Sequence, residues 1–245
     1  MLFQLLKCET KLFLRNFINA FFCILFPPVM ILLFGSIYGN TPSSEFMGRG
    51  MVDVSVPAYF ALIISVTAFM SIPMTLSEYR EKKILKKYMT TPLRKTDILI
   101  ALLIINLITT LLGIVLLYIT AKIQYSIKFE GNFIIFALCL LLSICSMYSF
   151  GLLLSNLGKT IKTTNTICYC MFFPMLFLSG ATIPKEIFPV SVLNVSKVLP
   201  LSYVVDVLKN TWIGDDFKDL WFGILFLSVT LVVCTVLNQR LFKWE

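Results

Sequence analysis

Six long runs in this chain carry no Asp, Glu, Lys or Arg, and that pattern limits what the chain can fold into. They cover residues 17–38, 54–76, 98–121, 133–154, 164–183 and 220–237. The first run, wound as a helix, rises about 33 Å, enough to cross a hydrocarbon core of about 30 Å. A charge at mid-membrane costs about 2.5–3.5 kcal/mol or more, so uncharged runs of this length belong in lipid. Spanning strands would need only about 9–11 residues of alternating polarity, and these runs are too long and too continuous for that. The spacing therefore predicts an all-α integral membrane protein with six transmembrane helices. Composition agrees. Hydrophobic residues make up 58% of the chain and charged ones 14%, where a soluble domain carries about 25% charged. The length is read as one transmembrane domain, residues 1–245, with short loops and no appended soluble domain.

The net charge of +8 raises the question of nucleic acid, and the placement of the charges argues against it. Basic residues cluster between the apolar runs. The N-terminal segment, residues 77–97, residues 155–163 and the C-terminus hold fourteen Lys and Arg, against seven in the alternate connections. By the positive-inside rule this places both termini in the cytoplasm. Met1 to Arg15 mixes Lys7, Glu9, Lys11 and Arg15 with apolar residues, which is not the form of a cleavable signal peptide. Residues 1–16 are predicted as an interfacial helix: Leu2, Leu5, Leu6 and Phe13 share one face, while Lys7, Lys11 and Arg15 recur every four residues.

The chain has no histidine, which removes most zinc sites and every His-based triad. Its seven cysteines lie almost entirely within apolar runs, without a CxxC pair, and read as small packing residues. Gly158-Lys159-Thr160 imitates the tail of a P-loop, but the required glycine five positions earlier is Leu153. Asp215, Asp216 and Asp219 precede the last run, where helix capping accounts for them. Asn194-Val195-Ser196 fits a glycosylation sequon by a match short enough to be chance.

Two segments carry functional information. In residues 77–97, Ile84, Leu85, Tyr88 and Met89 fall on one helical face and Lys82, Lys83, Lys86 and Lys87 on the other, until Pro92 stops the helix with Thr91 extended. A short charged helix beneath two spans is a lever for a soluble partner, or else a surface helix anchored on anionic lipid. After the fifth run the chain reads Leu178-Ser179-Gly180-Ala181-Thr182-Ile183-Pro184, then Pro189, then Pro200-Leu201-Ser202-Tyr203 and Asp206. The 30-odd residues after Pro184 remain fairly apolar (Ile187, Phe188, Val190, Val192, Leu193, Val195, Val198, Leu199, Leu201), and residues 184–219 are therefore predicted to hold short re-entrant helices dipping into the outer leaflet. Such backbone survives at membrane depth only when buried in protein or lining a cavity.

On these residues the chain resembles the permease subunits of type-2 ABC transporters, a family of drug-resistance, bacteriocin-immunity and polysaccharide exporters. Leu178, Ser179, Gly180, Pro184, Pro189, Pro200, Leu201, Ser202, Tyr203 and Asp206 match its outer signature. Glu78, Glu81, Leu85, Thr91, Pro92 and Leu93 match its cytoplasmic one. Many members read Gly-Thr-Leu-Glu where this chain reads Lys83-Ile84-Leu85-Lys86. The resemblance implies a coupling helix over 78–90, with Glu78, Arg80, Glu81, Lys82, Lys83, Leu85, Tyr88, Thr91 and Pro92 meeting a separate ATPase subunit, and loop 155–163 adding a second contact. It also implies a second permease copy or paralogue, and ATP and Mg held by the partner, with no cofactor or catalytic residue on this chain. The phenylalanine-rich, uncharged spans favour a hydrophobic or amphipathic cargo over a carbohydrate polymer. An ion-coupled carrier usually buries ionisable residues within its spans, and a non-transporting scaffold would leave the coupling segment without a purpose.

Overall fold

The computed structural model describes residues 2–15, 20–41, 50–84, 95–158, 160–182, 185, 188–214 and 217–241. These residues form helices α1 (Leu2–Arg15), α2 (a π turn, Phe21–Leu25, running into Phe26–Tyr38), α3 (Met51–Glu81), α4 (Lys95–Tyr125), α5 (Phe133–Leu157), α6 (Ile161–Leu178), α7 (Val190–Ser196), α8 (Pro200–Ile213) and α9 (Phe217–Leu241). No strand occurs among the described residues.

Among the described residues, four helices are long and apolar enough to cross a membrane: Met51–Glu81, Thr96–Tyr125, Phe133–Leu157 and Leu220–Leu241. The pair α7 and α8, bent by 98°, would make a fifth if it formed one broken span. The apolar stretch Phe21–Ile37 is shorter, and α6 opens on the polar sequence Lys162-Thr163-Thr164-Asn165.

α3 is the hub. It packs against α2, α4, α5, α6 and α8, and 83% of its most apolar stretch is buried, against 22% for α9. It also outruns its predicted 54–76 limits, because polar residues at both ends find protein partners. At one end Asp53 exchanges hydrogen bonds with Asn40 and accepts from the Lys128 amide (3.2 Å). At the other, Ser77, Tyr79, Arg80 and Glu81 are each engaged, as described below. α1 lays its apolar face on protein: Leu5 is buried with Tyr79, Ile98 and Ala101. Where α8 ends, Trp212 packs edge-on against Phe60, Tyr118, Phe129 and Phe136 at 5.0–6.1 Å. Its carbonyl accepts from the amides of Glu130 and Gly131.

Prolines decide how closely the helices approach. Pro27 and Pro28 lie four and five residues after Cys23, and neither has an N–H to give its carbonyl. The chain winds there as a π turn, closed by the Phe26 amide on the Phe21 carbonyl. Gly113 of α4 packs on the freed Cys23 oxygen, so close that a Cβ would sit 2.5 Å from it. α3 repeats the device. Its π turn, Thr67–Ser71, is closed by Ile72 on the Thr67 carbonyl, Pro73 cannot serve the Ala68 carbonyl, and Gly151 of α5 packs on that oxygen, where a Cβ would sit at 2.0 Å. Both π turns meet in a buried polar chain. Cys23 Sγ lies 3.6 Å from Thr67 Oγ1, Thr110 Oγ1 donates to Thr67 (3.0 Å), and Thr110 lies 2.7 Å from the Tyr148 hydroxyl.

Candidate functional site

The end of the bundle near both termini concentrates the polar chemistry. α3 runs to Glu81, so Glu78, Arg80 and Glu81 belong to the last turns of a long helix. This corrects the expectation that a separate helix begins at 78. Lys82 and Lys83 form a turn, with Lys83 in the left-handed region at φ 55°, and Ile84 resumes helical geometry. Leu85, Tyr88, Thr91 and Pro92 lie outside the described residues.

Arg80 and Glu81 grip the two sides of the α5–α6 connection. The Arg80 guanidinium donates to the Ser155 carbonyl (2.7 Å) and the Asn156 side-chain oxygen (2.6 Å) in the last turn of α5. Glu81 Oε2 accepts from the Ile161 amide (2.7 Å), the first of α6. A cation at a helix C-terminus and an anion at an N-terminus both complement the helix dipole. Ser77 adds a hydroxyl bond to Thr164 (2.8 Å). Asn156 continues to Asn238 of α9 (2.9 Å), whose amide donates to the Ser149 carbonyl (2.8 Å). Glu78 is half-exposed and pairs with Lys82. The two loops that the sequence reading treats separately, 77–97 and 155–163, are thus fastened together at the end of the most buried helix.

Glu9 and Tyr79 are a pairing that the sequence reading missed. The Tyr79 hydroxyl donates to Glu9 Oε2 at 2.6 Å. The carboxyl is 4% exposed, and its Oε1 is buried with no hydrogen-bond partner among the described residues. Burial pushes the Glu9 pKa above the usual carboxylate value, against the opposing pull of the Tyr79 bond. One acid amid the apolar face of α1 was the available signal, and it reads equally well as a solvated charge.

The opposite end holds the second motif. Ser179 is buried after α6, and its Oγ accepts from the Ala181 amide (3.3 Å). Gly180 turns the chain at φ 87°. Lys185 Nζ donates to both Asp206 oxygens (2.7 Å each) and to the Ser202 carbonyl (3.2 Å). Its stem crosses Gly180 so closely that a Cβ there would lie 2.6 Å from Lys185 Cγ. Pro189 caps α7 and Pro200 opens α8, where its missing N–H costs nothing. Tyr203 donates to the Lys197 carbonyl (2.6 Å) and stacks on Phe226 (4.1 Å between centroids). The structure links Gly180 and Asp206 through Lys185, whose stem crosses the turn after α6 and whose amine is held on α8, while Pro200 and Tyr203 have separate contacts at the start of α8. Pro184 lies outside the described residues. Lys185, the missed member, was legible as the one cation between Pro184 and Pro189, beside Glu186.

The family model for ABC-2 type transporters matches residues 2–212. A protein of Escherichia coli (strain K12) named probable multidrug ABC transporter permease YbhR is 23% identical over 180 residues, which cover 74% of this chain and 49% of that protein. A protein of the same name in Escherichia coli O157:H7 matches equally. Nodulation protein J of Rhizobium leguminosarum bv. viciae is 28% identical over 100 residues, covering 38% of this chain and 39% of that protein. The chain therefore spans about half the length of the first of these relatives, or less. With a match running from α1 to Trp212 and several helices apolar enough to cross a bilayer, this multi-pass membrane protein belongs to the ABC-2 type transporter family.

Proposed function

We propose that the chain is the six-span permease subunit of an ATP-driven exporter that moves a hydrophobic or amphipathic compound, such as a drug, small peptide or lipid-like molecule, out of the cytoplasm. In this reading α2, α3, α4, α5, α6 and α9 cross the bilayer, α7 and α8 are re-entrant, and both termini face the cytoplasm. ATP and Mg sit on a separate ATPase subunit that meets the segment after Lys83, and a second permease copy completes the pathway. The relatives named as multidrug permeases support the export class. The distribution of Lys and Arg supports the orientation.

The observation that carries the reading is the Arg80–Glu81 grip. A push delivered at Lys82 or Lys83 does not act there alone. It shifts the end of α3, and with it the α5–α6 turn, because adjacent charged side chains fasten all three. α3 touches most of the bundle, so displacement there reaches the spans. The test is coexpression with the ATPase subunit and measurement of hydrolysis and cargo efflux together. Glu81→Lys places a cation against the N-terminus of α6. It should lower efflux at least about tenfold, the scale of one charge-assisted hydrogen bond, while hydrolysis and membrane insertion persist. Efflux at the native rate would refute the coupling role. Transport by the purified chain on an ion gradient alone would refute the exporter class.

A further inference from the structure

α1 touches the rest of the molecule along a narrow face. It packs on α4, where Leu5 meets Tyr79, Ile98 and Ala101, and Leu6 and Ile84 pack against the same group. Lys7, Thr10, Lys11 and Leu12 are exposed. Stabilisation by burial scales with the apolar area removed from water, and here a handful of side chains supply it.

Glu9 sits inside that face at 4% exposure. The Tyr79 hydroxyl donates to its Oε2 (2.6 Å), and its Oε1 is buried with no hydrogen-bond partner among the described residues. The charged groups around it supply no counter-charge. On α1, Lys7 and Lys11 stand two positions to either side with exposed side chains, a spacing at which helical residues do not face each other. On α3, Arg80 is turned to Ser155 and Asn156, Lys82 pairs with Glu78, and Glu81 is held on the Ile161 amide. Lys83 lies in the turn beyond them, exposed. On α4, Asp97 precedes Ile98 and has the same sign as an ionised Glu9. An ionised carboxylate in this seat would be a buried charge with one hydrogen bond, whereas the protonated acid is neutral and keeps the Tyr79 bond. A charge that is not met in place is met by carrying it to water. For a helix of 14 residues held by one face, that movement leaves the bundle folded.

We infer that α1 is a proton-controlled latch, seated on α3 and α4 while Glu9 is protonated and released to the membrane surface once it ionises. Raising the pH frees the helix and lowering it restores the seat. The released helix is amphipathic and stays in the interface. Its departure uncovers Tyr79, Ile98 and Ala101, and with them Ile84, where the chain leaves α3 toward the segment proposed to meet the ATPase. That last consequence rests on the export reading; the latch does not.

The test uses the purified full chain in lipid nanodiscs, without an ATPase and diluted with unlabelled chain. Spin labels are placed at Leu12→Cys and Ile123→Cys in a cysteine-free background. Both positions are exposed, so neither label disturbs the seat. Ile123 lies beyond Ala101 along α4 by about 33 Å of helix. Distances are read by pulsed electron resonance from about pH 5 to about pH 9, a range that covers buried glutamates. The native chain should give one narrow distance at acid pH and lose it at alkaline pH, with recovery on reacidification. A second pair, Ile123→Cys with exposed Val233→Cys on α9, should hold constant. Glu9→Gln, neutral throughout, should keep the narrow α1 distance across the range. Tyr79→Phe removes the one donor that eases ionisation and should move the transition up by about one pH unit, a tenfold change in proton affinity. An α1 distance that ignores pH in the native chain would overturn the inference. So would a pH response that survives Glu9→Gln, or simultaneous loss of both distances, which would mean unfolding of the bundle. If Glu9→Gln does not fold, Tyr79→Phe decides: a transition left in place overturns the latch.

Discussion

Lys83 occupies a backbone position that suits glycine. At φ 55° a side chain costs about 1–2 kcal/mol, and the related family often has glycine there, so the turn after α3 keeps a glycine geometry without its glycine. Lys83→Gly should stabilise the folded chain by about 1 kcal/mol, raising the melting temperature in detergent by about 2–4 °C; a fall would show that the lysine side chain contributes more than the turn loses. Glu9 carries the pH dependence. Its folded pKa is raised, so the folded state keeps the proton to higher pH than the unfolded chain. Its contribution is fully present below the unfolded value and is lost as pH rises through the folded one. Glu9→Gln can still accept from Tyr79 and has no charge to bury. It should melt close to the native chain at acid pH and a few degrees higher at neutral pH, by about 2–4 °C per kcal/mol gained. A gap of constant size across pH would remove the carboxylate from the explanation. Neither role was legible in the sequence, because burial of Glu9 depends on α3 and α4 arriving at α1.

Among the elements, the proline-bearing helices show what local chemistry predicts and where it stops. Pro27, Pro28 and Pro73 each cost a backbone hydrogen bond and predict a bend. That Gly113 and Gly151 of other helices press on the freed carbonyls is settled only by packing. Gly151→Ala should destabilise the protein by about 1–3 kcal/mol, the range of overpacked cores, because its Cβ would meet Ala68 oxygen at 2.0 Å. Gly113→Ala, with its clash at 2.5 Å, should cost less. Equal melting of both variants and the native chain would mean that the helices separate freely. Beyond the end of α6, Asp206→Asn removes the charge that Lys185 meets. It should loosen the turn at Ser179–Thr182, read as faster amide exchange there, while leaving exchange in α5 unchanged. The paired residues are 21 apart in sequence, too far for helical spacing to link them.

For the whole molecule, the arrangement of ends follows from charge counting and is open to direct measurement. In a cysteine-free background, Lys82→Cys should react with a membrane-impermeant maleimide only after cells are opened, and Lys128→Cys should react in intact cells. The reverse pattern would invert the proposed orientation. The helical character of the chain and its residence in lipid were determined by the sequence alone. Both are sums of local terms: transfer of uncharged side chains into hydrocarbon, and backbone groups that must bond within their own segment. Neighbours change neither sum. The grip of Arg80 and Glu81 on α5 and α6, the burial of Glu9 and the polar chain that ends at Tyr148 were decided only by tertiary structure. Each is a contact between segments tens of residues apart, and no periodicity along one helix records which face of another will meet it.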